Sequence, residues 1–374
     1  MKILIAGDFC PQHRVADLFD KKKYDFVLGD LKPILKDMDY SVLNFECAVT
    51  KGSESPITKY GPNLRCTEEG LEAISWVGFN CVTLANNHML DYGWDGLNNT
   101  IEKCKELHLD TVGGGENICE ASKVLYKNIN DEVLAVINCC EHEFSIATDS
   151  TAGSNPLNSI KQFYEIQEAK NKADYVVVIV HGGNEHCPYP SIRMQETYRF
   201  FIDAGADAVI NHHQHCVSGY EVYKGHPIFY GLGNFCFDNN LVNLSSWYLG
   251  YMVKLDLSKG NIVDTTVMPY TQCKDEASVK LLTGKEKLNF YSYIDYLNEH
   301  INNPVQLNHK WEEWVIDSGK WVLPFFEPWQ TRITKSLFGR GLLPSKLNGE
   351  RKNLLINLFN CESHIDRLKF LLKK

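Results

Sequence analysis

The sequence predicts an α/β layered fold, with sheet strands covered by helices. Two observations carry that prediction. Short apolar runs alternate with amphipathic stretches, the pattern of strands and covering helices. The chain has 374 residues, 44% of them hydrophobic and 23% charged, so it is a soluble globular type with ample material for a core. In order, the apolar runs occupy residues 3–6, 40–45, 81–85, 133–138, 175–180, 208–210, 227–230 and 251–257. The first ends at Gly7-Asp8 and reads as a strand running into a turn. Amphipathic stretches lie at 68–77, 94–107, 160–173 and 191–204. Residues 220–257 carry fewer helical signals and read as more antiparallel. Composition shifts after Tyr270, which divides the chain into an α/β domain at 1–270 and a largely helical, basic extension at 271–374.

Bulk properties exclude several classes. A net charge of −9 gives no overall basic signature, so no nucleic-acid partner is expected. The 13 cysteines are scattered through apolar runs (Cys81, Cys139, Cys140, Cys236) with no CxxC pair. Their odd number and the chain length argue against a disulfide scaffold and for a reducing, cytoplasmic setting. The N-terminal apolar run is too short for a signal peptide. No run approaches the roughly 18 apolar residues of a membrane span.

Polar residues collect at the predicted C-terminal ends of strands, where open α/β sheets form their sites. Asp8 ends the first run and Asn44-Phe45-Glu46 the second. Asn86-Asn87-His88 and Asp91 follow the third, Glu141-His142-Glu143 the fourth, and His181 with Glu185 the fifth. Three of the 13 histidines then fall within five residues, in Asn211-His212-His213-Gln214-His215. Gly233-Asn234-Phe235 follows the seventh run. A single strand-end Asp or Asn is often a helix N-cap, and one His-rich turn is weak evidence by itself. Six or seven strand ends all offering ligand-type residues exceed what capping explains. Carboxylate, amide and imidazole together suit Mn, Fe or Zn rather than a Cys-rich structural zinc. A bridging carboxylate with several histidines permits one ion or two, the latter roughly 3.5–4 Å apart in a clamp for phosphoryl transfer.

The ordered motifs also resemble a known family. They are Gly7-Asp8, Asn44-Phe45-Glu46, Leu84-Ala85-Asn86-Asn87-His88-Met89-Leu90-Asp91-Tyr92-Gly93, His181-Gly182-Gly183-Asn184-Glu185, the 205–215 segment, and Tyr230-Gly231-Leu232-Gly233-Asn234-Phe235-Cys236-Phe237-Asp238. Over roughly residues 1–270 the chain resembles the CapA family of bacterial capsule and poly-γ-glutamate synthesis proteins, within the calcineurin-like metallophosphoesterases. The resemblance implies a four-layer α/β/β/α sandwich with a metal centre at the strand ends. It places Asp8, Glu46, Asn87, His181, His213 and His215 at metal positions, with Glu46 where related enzymes bridge two ions through Asp. His88 then looks like the general acid and Asp91 its orienting partner; the plainer role for Asp91-Tyr92-Gly93 is a turn opening the next helix. Arg65, Glu143, Glu185, His212 and Asn234 are candidate substrate contacts. For Arg65 the alternative is a solvated surface side chain, for His212 a supporting position behind the ligands, and for Asn234 plain turn geometry.

Some positions depart from the family pattern. Cys10 stands where many metallophosphoesterases carry the His of Asp-x-His; it is a thiolate ligand or, more ordinarily, a small buried hydrophobe. Asn211, Gln214 and Gly182 replace the usual Gly, Pro and Trp. Ligand types survive these changes, while the pocket shape is altered. The expected function is a metal-dependent, phosphoesterase-type hydrolase of capsule or exopolymer biosynthesis, acting on a phosphoester or on an anionic polymer. The alternative is a non-catalytic, metal-stabilised module that binds an anionic polymer or a synthase partner.

Residues 331–374 contain ten Lys or Arg against three Asp or Glu, a balance of +7 that leaves −16 for the rest. Trp311, Trp314, Trp321 and Trp329 lie just before this tail. Leu354, Leu358, Cys361, Ile365, Leu368 and Leu372 step by four and three, which places them on one helical face. The tail reads as a docked helix or as a peripheral contact to an anionic membrane or a synthase. Deleting 331–374 is expected to leave a folded domain; an insoluble or metal-free product would show that the tail completes the core.

Overall fold

The computed structural model describes residues 1–239 and 244–372. Two large mixed sheets form the centre. The first has the strand order Val279–Leu281, Asn261–Gln272, Leu249–Ser258, Lys2–Phe9, Tyr40–Phe45, Cys81–Thr83, Asp110–Val112, with Asn234–Cys236 also paired to Lys2–Phe9. The second runs Tyr220–Tyr223, His226–Phe229, Ala208–His212, Tyr175–His181, Glu132–Cys140, Leu125–Ile129. Its inner strands are parallel and its two outer pairs antiparallel. The strand Tyr175–His181 is buried at every residue, as its Val-rich sequence requires of a parallel strand covered on both faces. Helices Ser159–Lys170 and Ile192–Ala204 pack on the second sheet, while Glu68–Val77 and Gly93–Glu106 belong to the first. The four-layer α/β/β/α sandwich is therefore present.

Capping explains where the helices begin and end. Asn158 accepts hydrogen bonds from the Ile160 and Lys161 amides, and Ser191 from the Met194 amide. Gly78 and Gly205 close two helices in the left-handed conformation.

Register brings the polar strand ends together. Asp8 pairs with Asn44 on one side and Asn234 on the other. In the second sheet His181 pairs with Cys140 and His212. The first strand is irregular just before Asp8, at Gly7. A Cβ on Gly7 would lie 1.9 Å from the Gly233 carbonyl oxygen. Only glycine admits that approach, which lets the Asp8 amide donate to Gly233 O at 3.3 Å. Gly7→Ala is expected to cost about 1–3 kcal/mol through overpacking, measured by urea unfolding; an unchanged midpoint would contradict this.

The chain divides into two compact units, Met1–Asn308 and His309–Lys374. The composition shift after Tyr270 therefore falls inside the first unit. Strand Val279–Leu281 extends the first sheet there, and helix Gly284–Ile301 buries Phe290, Ile294, Leu297 and Ile301 at helical spacing. The second unit comprises the later part of helix Pro304–Val322 and helices Arg332–Gly339, Gly349–Asn360 and Glu362–Leu372. The single helical face expected over 354–372 is corrected here. Cys361 adopts an extended conformation and breaks the run in two. Its carbonyl instead accepts the amides of His364 and Ile365, so it opens the second helix. Within this unit Glu327 is buried and accepts from the Ser345 hydroxyl and, at 2.8 Å, the Lys346 amide. Lys373, Lys374 and the side chain of Trp321 lie outside the described residues. Among the described residues no helix is long and apolar enough to cross a membrane. All 13 cysteines are free thiols.

Candidate metal centre

The strand ends converge on a buried set of donors. Three groups each bring ligand atoms within 4.8 Å of one another: Asp8, Glu46 and His215; Glu46, His181 and His213; and Glu185, His213 and His215. Glu46 belongs to the first two. Its Oε1 lies 3.6 Å from His181 Nε2 and 3.4 Å from His215 Nε2. The side chain is fully buried, and neither carboxylate oxygen has a hydrogen-bond partner among the described residues. Burial, then the Asp8 carboxylate beside it, pushes Glu46 well above the usual carboxylate range. Burial pulls His181 well below the usual imidazole value. Buried charges in proteins are paired or coordinate metals. Orphaned carboxylate oxygens facing neutral imidazole nitrogens are what a cation site requires, so the residues fit a divalent ion.

Neighbouring groups aim these donors. Asp8 Oδ1 accepts from the Asn44 amide at 2.7 Å, and Oδ2 from the His213 backbone amide at 3.1 Å. Asn87 Oδ1 lies 3.0 Å from His181 Nε2, while its amide nitrogen donates to Glu143 Oε2 at 2.8 Å. Glu143 therefore turns the Asn87 carbonyl inward. His215 Nδ1 is 2.8 Å from Asn234 Oδ1, which can only accept. That fixes the proton on Nδ1 and leaves the Nε2 lone pair, beside Glu46, available to a metal ion. Glu143 and Asn234, expected as substrate contacts, thus each bond a ligand-type side chain, and Glu143 also faces His213, with Oε1 3.9 Å from Nε2 and its side chain 40% exposed. His213 and His215 both have positive φ, at 90° and 50°. Such conformations cost of order 1–3 kcal/mol each and persist where surrounding structure imposes them.

His88 and Asp91 form a second constellation. His88 Nδ1 is 2.7 Å from Asp91 Oδ2, so the ring is held through Nδ1 and Nε2 is the nitrogen left for exchange. Asp91 does not cap the following helix. It also accepts the Leu64 amide at 2.6 Å and forms an ion pair with Lys59, whose side chain is only 2% exposed. The Lys59 ammonium sits 3.1 Å from His88 Nδ1 and 5.2 Å from the Phe144 ring. Nothing in the sequence singled out Lys59. It lies in an irregular segment without periodicity, and its contacts with Asp91 and His88 bring it in.

Other expected residues sit elsewhere. The Arg65 side chain is exposed, with its guanidinium 5.6 Å from the Tyr92 ring, beside a cleft of about 580 Å³ that also touches Gln12 and Lys51. That cleft contains no member of the donor groups. His212 is buried, belongs to none of the donor groups, and is pulled down to about 3 by burial. Among the described residues Cys10 also belongs to none of them; its thiol lies 3.3 Å from Gln12 Nε2, and burial pushes it up. Asn211 and Gln214 shape the loops. The Asn211 amide donates to Gly182 O and Tyr230 O, each at 2.9 Å, and Gln214 Nε2 to Cys187 O at 2.9 Å.

Fold and cluster together define an α/β sandwich whose strand ends gather residue groups able to bind metal. More particularly, the chain belongs to the bacterial capsule synthesis protein family PGA_cap, whose sequence profile matches residues 2–239. It is 32% identical over 327 residues to the capsule biosynthesis protein CapA of Bacillus anthracis, covering 83% of this chain and 78% of that one. It is also 32% identical over 236 residues to the PGA biosynthesis protein CapA of Bacillus subtilis strain 168, covering 62% of each. Among solved structures, a hypothetical protein from Thermus thermophilus aligns with a TM-score of 0.47 at 14% identity, over 72% of this chain and 99% of that one.

Proposed function

We propose that this chain is a metal-dependent hydrolase of capsule or exopolymer biosynthesis. Its substrate is a phosphoester, or an amide within an anionic polymer, and its cofactor is one or two ions of Mn, Fe or Zn. The observation that carries the reading is the buried Glu46 carboxylate, unpartnered and set between His181 and His215. The names of the relatives, for capsule and PGA biosynthesis, support the biological setting. A bound ion would supply Lewis-acid chemistry at the scissile bond and activation of water near neutral pH. Asp8, Glu46, Asn87, His181, His213 and His215 would hold it. Glu143 and Asn234 keep Asn87 and His215 in line. In its doubly protonated form His88, with Nδ1 held by Asp91, would give the Nε2 proton to the leaving group and keep the other.

The purified full chain, supplied with Mn, is expected to hydrolyse a generic phosphodiester or monoester. His88→Ala should lower turnover by about 10²–10⁴-fold, the usual contribution of a general acid, with metal content unchanged by elemental analysis. Undiminished turnover in that variant would remove His88 from the mechanism. Absence of any transition metal, with no change in His213→Ala, would remove the metal.

One observation favours the non-catalytic reading: Cys10 joins no donor group, so the Asp8, Glu46 and His215 group has three members. No turnover on any ester or amide, with anionic-polymer binding retained in His88→Ala, would select a binding module. The +7 balance of residues 331–374 is the feature through which such a module would meet an anionic surface or a synthase.

A further inference from the structure

The third donor group contains a residue outside the expected ligand set. Glu185 brings a carboxylate oxygen to ring nitrogens of both His213 and His215, all within 4.8 Å of one another. The donors otherwise divide unequally. One half has Glu46, His181 and His213, with Asn87 Oδ1 3.0 Å from His181 Nε2. The other half has Asp8, Glu46 and His215 alone. Transition ions of this class take four or more ligands, the fourth from the protein or from water, and among the described residues Glu185 is the further carboxylate grouped with His215.

The loop carrying Glu185 is held to the segment that carries the histidines. The Gly182 amide donates to His212 O at 3.2 Å and the His186 amide to Gln214 O at 2.7 Å. Gln214 Nε2 donates back to Cys187 O, and the Gly183 amide donates to Glu141 Oε2 at 3.1 Å. The residues on either side of Glu185 are thus fixed to the backbone of 212–214, which presents His213. Glu185 itself is exposed, so this side of the cluster opens to solvent.

We propose that Glu185 is a metal ligand that completes the Asp8, Glu46 and His215 half and creates the second ion position. The inference rests on the metal-centre reading above. It replaces the role in substrate contact expected for Glu185 from the sequence. It also makes the second ion the more exchangeable one, because one of its ligands is exposed.

The test uses the metal-stripped full chain titrated with Mn(II), counted by elemental analysis after gel filtration and followed by electron paramagnetic resonance. The wild-type chain is expected to take two ions with the coupled signal of adjacent Mn. Glu185→Gln should retain one and bind the other at least about tenfold more weakly, with the coupled signal lost. Glu185→Asp, which keeps the carboxylate, should retain two. Equal stoichiometry and affinity in wild type and Glu185→Gln would overturn the assignment and leave the metal centre standing. A wild-type chain that binds no Mn, indistinguishable from Glu46→Gln, would overturn the centre itself.

Discussion

Glu46→Gln is expected to abolish metal binding and, in the same molecule, to stabilise the metal-free protein. The wild-type carboxylate is fully buried, with both oxygens unpartnered among the described residues and Asp8 beside it. Glutamine keeps the shape and removes the charge. The glutamine amide is left unpartnered too, but a buried charge costs more than a neutral polar group, so a gain of about 1 kcal/mol or more is expected at neutral pH. Saturating Mn, in contrast, should stabilise wild type by about 4 kcal/mol at 1,000 times its dissociation constant, and Glu46→Gln hardly at all. The pH dependence follows from the raised folded value. Stability from the protonated carboxyl is fully present below the ordinary value of 4.5 and is lost as pH rises toward the raised one. The glutamine variant lacks that share of the slope. Thermal melts with and without Mn decide the matter. A metal-free Glu46→Gln less stable than wild type, and still stabilised by Mn, would contradict both parts.

The second large effect concerns Lys59 and Asp91. Their side chains are 2% and 0% exposed. Removing one partner of a buried pair leaves the other charge unpaired and costs about 3–5 kcal/mol. Lys59→Met is therefore expected to destabilise the chain by that amount, as measured by urea unfolding. Asp91→Asn should also be costly, because the Lys59 ammonium then stays buried. In the double variant neither charge remains, and asparagine can still accept the Leu64 amide now held at 2.6 Å. The double variant should accordingly lose less than the sum of the singles, by more than about 1 kcal/mol, as expected for residues in contact. Strict additivity would show that the two charges do not depend on one another.

The parts of the fold that were legible are those with a local signature. The Val-rich run at 175–180 became strand Tyr175–His181, and the 68–77 periodicity became helix Glu68–Val77. The apolar stepping over 354–372 misled, because periodicity does not record that Cys361 turns extended and starts a new helix. At the site, the ordered strand-end motifs pointed to the residues that the structure gathers into donor groups: Asp8, Glu46, His181, His213 and His215. The contacts of Glu143 with Asn87 and of Asn234 with His215 were not legible, since orientation is a property of side-chain contacts rather than of residue type. Arg65 is the converse case. A suitable side chain close in sequence to Leu64, which bonds Asp91, points instead to a separate cleft.

The sequence by itself determined the layered α/β class, the motif order and the chemical types at the strand ends. Each of these follows from periodicity or residue identity within a few positions. Tertiary structure decided which of those residues meet. It set Asp8 opposite Asn44 and Asn234 through one irregular step at Gly7, brought Lys59 to Asp91 across 32 positions, and carried Glu185 to His213 and His215. The physical reason is that a ligand set, an ion pair or a hydrogen bond exists at a separation of a few ångströms. Strand register and loop anchoring set that separation between residues distant along the chain.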